Sequence, residues 1–424
     1  MSVSVDSTVL TFEDARRVVE EQAAQVPVCG IESVNLLASV GRVLAEQVAA
    51  DRDIPPFPRS TRDGYAVRSA ELSRLPAMLE VIGEIKAGEN LERTPPSIGV
   101  GQTVSIMTGA PVPAGADAVV MVEYTTRQGE RVEIAKGAAP GENIVARGAE
   151  ARQGTLLLDR GFRLTDAAIA LAASVGKSRL EVYKRPRVAV LTTGDEIVDV
   201  DATPGPTQIR NSNSYSLAAQ ILQVGGQPVL LPVAPDEPQG LRRLIEEGLK
   251  LDLLLMTGGV SMGRYDLVEQ VLSEMHAEFF FTGAKIQPGR PVVFGWSGTG
   301  SGTPEDPRSP KTHTYFFGLP GNPVSTMVTF KLFARPMLEA LAGQSPRKLT
   351  FLHARLKAEI RVKTGLRRFL PAVLSGEFER SEVELVSWQG SGDIAATALA
   401  NCYIVVPPDR ERIPAGEWIA VMMR

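Results

Sequence analysis

The sequence predicts an α/β protein built from several domains, and three observations predict it. Between residues 187 and 333, apolar strand-like runs alternate with amphipathic helices. Residues 51–146 are rich in Pro, Gly and short β-type runs, with helical texture on both sides. The last ~90 residues alternate apolar and polar positions, as strands with one wet face do. A length of 424 residues fits about three domains at ~150 residues each.

At the start, Thr11 caps a helix whose first turn holds Asp14 and whose apolar face is Phe12, Ala15, Val18, Val19 and Ala23. A second helix is expected over residues 34–47. From Asp51, Pro55-Pro56, Pro113-Ala114-Gly115 and Pro140-Gly141 punctuate the β-rich block. Thr165 suits the cap of a helix that Gly176 ends. Helices before and after suggest that the block is inserted into one helical region.

The stretch from 187 reads as strand 187–191, helix 216–224 closed by Gly225-Gly226, strand 228–233, a helix capped by Asp236, strand 251–256 and helix 265–275. Such alternation indicates a parallel sheet covered on both faces, with ligands beyond the carboxyl ends of its strands. Residues 297–312 form a low-complexity polar loop between two further strands. Asn322-Pro323 starts a helix, which Pro336 kinks or ends. Alternation over 352–362 and the prolines at 407–408 and 414 mark a small barrel or sandwich.

Composition narrows function. Lys and Arg number 45 against 49 Asp and Glu, so no bulk positive charge suggests a nucleic-acid or membrane surface. Two cysteines without a CxxC argue against a disulfide framework or a zinc site. His276, His313 and His353 are far apart, which disfavours a histidine triad. The N-terminus lacks a basic leader and no apolar run reaches 18 residues, so a cytoplasmic location is expected.

All three strand ends of the α/β region deliver residues suited to an anion. The first gives Thr192-Thr193-Gly194-Asp195-Glu196, the second Pro235-Asp236, and the third Thr257-Gly258-Gly259-Val260-Ser261-Met262-Gly263 followed by Asp266. Glycines let the backbone approach an anion, and clustered carboxylates beside phosphate suit Mg²⁺. The general rules give a phosphate-bearing ligand, with or without Mg²⁺. Pro320-Gly321-Asn322-Pro323-Val324-Ser325 adds a turn at the same crevice. Residues 347–368 hold eight basic side chains and one acid, Glu359: a solvated face, or a wall for an anion.

RDGYAV, MTGAPVPAGADAVV, RPRVAVLTTGDEIV, RNSNSYSL, TGGVSMGRYD, PGRPVVFG, LPGNPVS and NCYIVVPP together resemble the molybdopterin molybdenumtransferase family, of the MoeA type related to the gephyrin E domain. The resemblance implies an elongated helical domain (1–50 and 147–180), an inserted β-rich domain (51–146), a three-layer α/β molybdopterin-binding domain (181–332) and a C-terminal β-barrel (333–424). It implies a homodimer whose site is shared across subunits. It also implies that molybdate enters adenylylated molybdopterin with release of AMP in the presence of Mg²⁺, downstream of a molybdopterin adenylyltransferase.

Carried over by motif, Asp63, Thr108, Glu196, Asp236 and Asp266 are the catalytic residues, with Glu196, Asp236 and Asp266 at the metal. Thr193, Gly194, Asp195, Gly258, Gly259, Ser261, Gly263, Pro320, Gly321, Asn322, Pro323, Ser325 and Ser391 bind the substrate. The sequence departs from the family pattern where lysines are usual, at Gly283 and Gln287, and where an arginine is usual, at Pro371. Arg290 and Arg367, with Lys285 and Arg368 nearby, are the replacement cations for the oxyanion. A tungstate-using or non-catalytic, scaffolding relative is the alternative.

Overall fold

The computed structural model describes residues 8–89, 97–258, 267–298, 313–344 and 347–424. Helix α1 (Phe12–Ala23) is capped by Thr11, whose hydroxyl accepts from the Asp14 amide at 3.1 Å. Its apolar stripe does not stay with the neighbouring segments. Phe12, Ala15, Val19 and Ala23 pack into the core of the α/β unit, and Phe12 meets Phe333 and the barrel's Phe369 edge-on.

The helix expected over residues 34–47 does not form. Ile31–Asn35 is a strand paired with Arg179–Tyr183, and a short 3₁₀ turn, Leu37–Ser39, follows it. Leu44 and Val48 join Leu164, Ala168, Leu180 and Val182 in one small core beside α2 (Asp166–Ser174). Here pairing across ~150 residues of sequence outweighs local helical spacing, as tertiary context commonly does.

The β-rich block contains a six-stranded sheet. Its order is Ala118–Met121, Gly64–Val67, Gln102–Ile106, Ala77–Ile85, Arg131–Ile134 and Thr125–Gln128. Its two faces bury separate apolar clusters, one around Tyr65 and Val120, the other around Ile85 and Ile106.

The α/β unit is a second six-stranded sheet, ordered Gln227–Leu230, Arg187–Thr192, Leu253–Thr257, His313–Leu319, Val293–Gly298 and Glu278–Phe281. The first four strands are parallel, and the last two run antiparallel to their neighbours. Val188 to Leu191 and Leu253 to Met256 are fully buried, because helices cover both faces. α3 (Ser212–Val224) is closed by Gly225 in the left-handed region at φ 99°. α4 (Pro238–Gly248) is capped by Glu237, not by Asp236. Its carboxylate takes the Gly240 and Gln239 amides, which frees the Asp236 side chain. α5 is Leu267–Glu274.

α6 (Pro323–Thr329) runs through a π-turn at Phe330–Ala334 into α7 (Arg335–Leu341). Pro336 kinks this helix rather than ending it. Its missing N–H removes the usual i+4 donor to the Leu332 carbonyl. Arg16 of α1 donates to that oxygen at 2.5 Å.

The C-terminal strands Arg367–Ser375, Glu382–Leu385, Leu352–Leu356, Trp418–Met423 and Cys402–Val406 pair in turn, and the last closes on the first, making a five-stranded barrel. Ile286–Gln287 of the α/β unit adds to it in parallel beside Arg367 and Arg368. The helix α8 (Ile394–Leu399) is capped by Asp393. Among the described residues no helix is long and apolar enough to cross a membrane.

Candidate active site

Strand order dictates where a ligand fits. From Arg187–Thr192 the chain crosses to Gln227–Leu230 on one side, then to Leu253–Thr257 on the other. The carboxyl ends of the first and third strands therefore flank a crevice with no connection across it, the general ligand position of open α/β sheets. A cleft of about 1030 Å³ opens there.

The floor of the cleft is a hydroxyl and amide network. Asn213 Nδ2 donates to Thr257 Oγ1 at 3.0 Å and to the Gly321 carbonyl at 2.7 Å. Thr257 Oγ1 and Thr326 Oγ1 donate to the Pro320 carbonyl at 3.1 and 2.5 Å. Thr192 and Ser214 hydroxyls meet at 2.7 Å. These bonds tie two strand ends, α3 and the 320–323 turn into one rigid base. Neutral groups leave it without a fixed charge of its own.

The glycines open the space. Gly258 sits at φ 90°, and a Cβ there would stand 2.5 Å from the Thr193 carbonyl oxygen. At Gly194, φ 132°, a Cβ would fall 2.5 Å from the Glu196 carboxylate. Thr193 Oγ1 and Asn213 Oδ1 are buried in the lining without a partner among the described residues. Buried polar atoms are normally satisfied, so a polar ligand suits them.

Of the substrate-binding candidates, Thr193, Gly194, Gly258, Pro320, Gly321, Asn322 and Pro323 line this cleft, together with Glu196 and Asp236. Asp195 stands behind it, its carboxylate accepting the Asp236 amide at 3.1 Å. Gly259, Ser261, Gly263 and Asp266 lie outside the described residues. Asn322 heads α6 but makes no side-chain cap there. It donates instead to Ser391 Oγ at 2.9 Å, while the Val324 amide donates to the Ser391 carbonyl at 3.0 Å. Ser391 thereby brings the barrel region against the cleft wall.

A second hollow of about 560 Å³ adjoins the first, sharing Pro291, Pro320 and Asn322. Ser325, Ser391, Arg290, Lys363 and Arg368 line it. Arg367 does not. It pairs with Glu13 at 2.5 Å and lies over the Phe12 ring. Successive strand residues point to opposite faces, so Arg368 rather than Arg367 faces this hollow. Arg368 is 8% exposed, donates to the Lys363 carbonyl at 2.6 Å and has a buried Nε without a partner. Burial pushes its pKa down. Among the described residues it has no carboxylate partner, an arrangement that an incoming anion would relieve. Lys285 does not line this hollow either.

The departures have physical reasons. Gly283 is buried beside Val9, with a Cβ there 3.0 Å from Val9 Cγ2, so a lysine would start from a buried position and press on Val9. Pro371 is buried in the barrel opposite Tyr403. Gln287 lines the second hollow with a neutral side chain.

Asp63 and Thr108 come together, but away from this cleft. The Thr108 amide and hydroxyl donate to one Asp63 carboxylate oxygen at 2.6 and 2.8 Å, holding its pKa below the usual range. Both residues are exposed at the end of the 64–134 sheet, and neither lines the cleft or the hollow.

Glu196 and Asp236 are oxygen donors in the cleft, the ligand type Mg²⁺ prefers. Among the described residues no cluster of three possible metal ligands exists. Two carboxylates plus phosphate oxygens still suffice for Mg²⁺, which keeps several waters. Sequence reasoning gave no role to Asn213, Thr326 or Arg210, which also lines the cleft. RNSNSYSL was visible as a motif, but its amide and hydroxyl bonds exist only once three strand ends meet.

A switch-point cleft with glycine turns, two carboxylates and a basic annex defines an α/β protein for phosphate-bearing ligands. Comparison with known proteins makes this specific. Residues 10–176 match the MoeA N-terminal region (domain I and II), 189–340 a probable molybdopterin binding domain, and 353–423 the MoeA C-terminal region (domain IV). A molybdopterin molybdenumtransferase of Bacillus subtilis is 32% identical over 402 residues, 92% of this chain and 89% of its own. One of Nostoc sp. is 37% identical over 317 residues, 74% and 70%. A crystal structure of a molybdopterin biosynthesis MoeA protein from Pyrococcus horikoshii superposes with TM-score 0.71 at 32% identity, covering 98% of this chain and 99% of that one. The chain belongs to the molybdopterin molybdenumtransferase family, and is a transferase of molybdenum cofactor biosynthesis.

Proposed function

We propose that the chain inserts molybdate into adenylylated molybdopterin and releases AMP, using the cleft and its basic annex as one composite site. The observation that carries this reading is Arg368, a buried guanidinium with no carboxylate partner among the described residues, facing a hollow that adjoins the strand-end cleft. The phosphoanhydride-bearing substrate lies over the Gly194, Gly258 and Gly321 turns, where backbone can approach an anion. Molybdate lies in the annex, against Arg368, Arg290, Lys363 and the Ser391 side chain.

In the reaction the two dithiolene thiols bond to molybdenum. Two molybdate oxygens leave as water, carried by the two thiol protons and the two protons released when a water molecule attacks the phosphoanhydride, which frees AMP and leaves the phosphate on the pterin. Thr193 and Asn213 give the bound substrate polar partners from the cleft floor. Arg368 and Arg290 offset the dianion, which could not otherwise sit beside phosphates and carboxylates. Glu196 and Asp236, with Asp266, would hold Mg²⁺, which would draw charge from the phosphate oxygens.

The exposed Asp63–Thr108 pair serves the cleft of a second copy, which makes the working unit a homodimer with shared sites. A carboxylate fixed by two donors yet remote from its own cleft supports this. The division into 1–50 with 147–180, 51–146, 181–332 and 333–424 is part of the same proposal, with α1 packed on the α/β unit. An adenylyltransferase acting on molybdopterin supplies the substrate.

The test mixes purified protein with adenylylated molybdopterin, molybdate and Mg²⁺, and follows AMP by chromatography. AMP release that requires molybdate supports the reading. Tight pterin binding without release would reduce the chain to a cofactor-binding protein.

A further inference from the structure

Between α3, the π-turn, α7 and the barrel lies another hollow, of about 630 Å³, which the proposed reaction does not use. A neighbour of about 360 Å³ shares Lys331, Arg335, Glu339, Arg347 and Arg424 with it, and Arg163 completes the larger wall. These six side chains set five cations against one carboxylate. Glu339 is buried and already committed to Arg335 at 2.8 Å.

Main-chain oxygens hold three of the others. Lys331 Nζ donates to the Met423 carbonyl. Arg424 donates to the Thr397 carbonyl and, at 2.8 Å, to that of Ala400. Arg163 donates to the Gln223 and Val224 carbonyls at 3.1 and 3.3 Å. Carbonyls fix a cation's position without neutralising its charge. Gln220 adds a buried Nε2 in the same wall with no partner among the described residues, so an unused donor joins the unneutralised cations. The uncompensated field shows in Lys331, which burial, Arg335 and Arg424 push down to about 8.

We propose that this chamber is a second anion site, binding a compact ligand with adjacent phosphate groups. Apart from Arg335, its cations have no side-chain carboxylate partner among the described residues. They are pre-positioned by neutral oxygens and spread over two connected hollows, which suits a linear diphosphate better than one tetrahedral ion. Charge-assisted bonds from fixed guanidinium groups are the usual means of holding such groups. The Phe330 and Tyr403 walls leave room for an organic portion as well.

The experiment titrates the intact protein calorimetrically with pyrophosphate and, separately, with ADP. It does so for the wild type, for K331M and R347Q, and for the cleft variant T193V. Lys331→Met and Arg347→Gln should each weaken binding about tenfold, the loss of one charged hydrogen bond. They should leave AMP release unchanged, and Thr193→Val should keep this binding. Equal affinity for the two probes identifies a free diphosphate as the ligand class, and tighter ADP binding identifies a nucleotide. Arg347 lies on a separate exposed segment, so its variant remains informative if Lys331→Met folds poorly. No binding to the wild type, or binding that neither chamber variant weakens, overturns the proposal.

Discussion

Replacing Arg368 by methionine keeps most of the side-chain volume and removes the one buried guanidinium facing the annex. One hydrogen bond from a charged group contributes about 1.5–3 kcal/mol. At 1.4 kcal/mol per tenfold, molybdate half-saturation of AMP release should rise roughly 10- to 150-fold. Stability should respond differently. The variant loses the bond to the Lys363 carbonyl, about 1 kcal/mol, but also removes a buried charge whose desolvation no carboxylate offsets. The two nearly cancel, so thermal unfolding should shift by no more than about 4 °C. Arg368→Lys should recover part of the molybdate affinity, since it restores charge but not the two-donor fork. Initial rates of AMP release against molybdate, at saturating adenylylated pterin, give the answer. An unchanged molybdate dependence in a folded R368M protein would refute the placement of the oxyanion. So would a rise confined to the pterin KM.

Gly258→Ala should lower the unfolding midpoint by several degrees and abolish AMP release, because its Cβ would lie 2.5 Å from the Thr193 carbonyl oxygen at φ 90°; a thermal scan and the AMP assay read both. Thr108→Ala should raise the Asp63 pKa toward the ordinary carboxylate range, visible in the carboxyl carbon shift during an NMR titration. A depressed carboxylate contributes stability above its unfolded pKa and loses it as pH falls through the folded value, so in this variant the contribution should be smaller and its loss complete at a higher pH. If subunits share sites, mixing Asp63→Ala with Asp236→Asn protein should regenerate activity after subunit exchange, and no recovery counts against a shared site. Lys331 titrates near 8 in the fold but above 10 when unfolded, so the unfolded chain binds more protons between those values. Stability to urea should therefore rise with pH across that window, and Lys331→Met should flatten the rise.

The α/β unit was legible because its strands are buried on both faces and read as unbroken apolar runs between capped helices. Its four parallel strands follow that reading. The antiparallel edge depends on a hairpin whose loop carries no periodic signal. Residues 34–47 misled because Leu36, Val40 and Leu44 have helix-like spacing, while the strand that pairs with Val34 and bridges to Leu44, Arg179–Tyr183, is remote in sequence. At 235–238, two adjacent acids compete for one cap. Glu237 takes it, as the residue before Pro238 at the first helical position, a local signal that points past Asp236. The cleft glycines and carboxylates were visible as strand-end residues. Arg367 and Arg368 were visible only as a pair, because which of them faces inward depends on a strand register set across the barrel.

The bond from Arg16 to the Leu332 carbonyl spans 316 residues of sequence, and it bears on how the chain is made. At ~5–20 residues per second, a ribosome needs roughly 15–60 s to travel from one partner to the other. During that interval the N-terminal helix has been synthesised, but its seat has not. Phe369 and Tyr403 of the same core arrive later still. The inserted sheet can close soon after residue 134 emerges, while the nascent helix waits with its apolar stripe unburied. Burial of that stripe therefore waits until the last quarter of the polypeptide has been made.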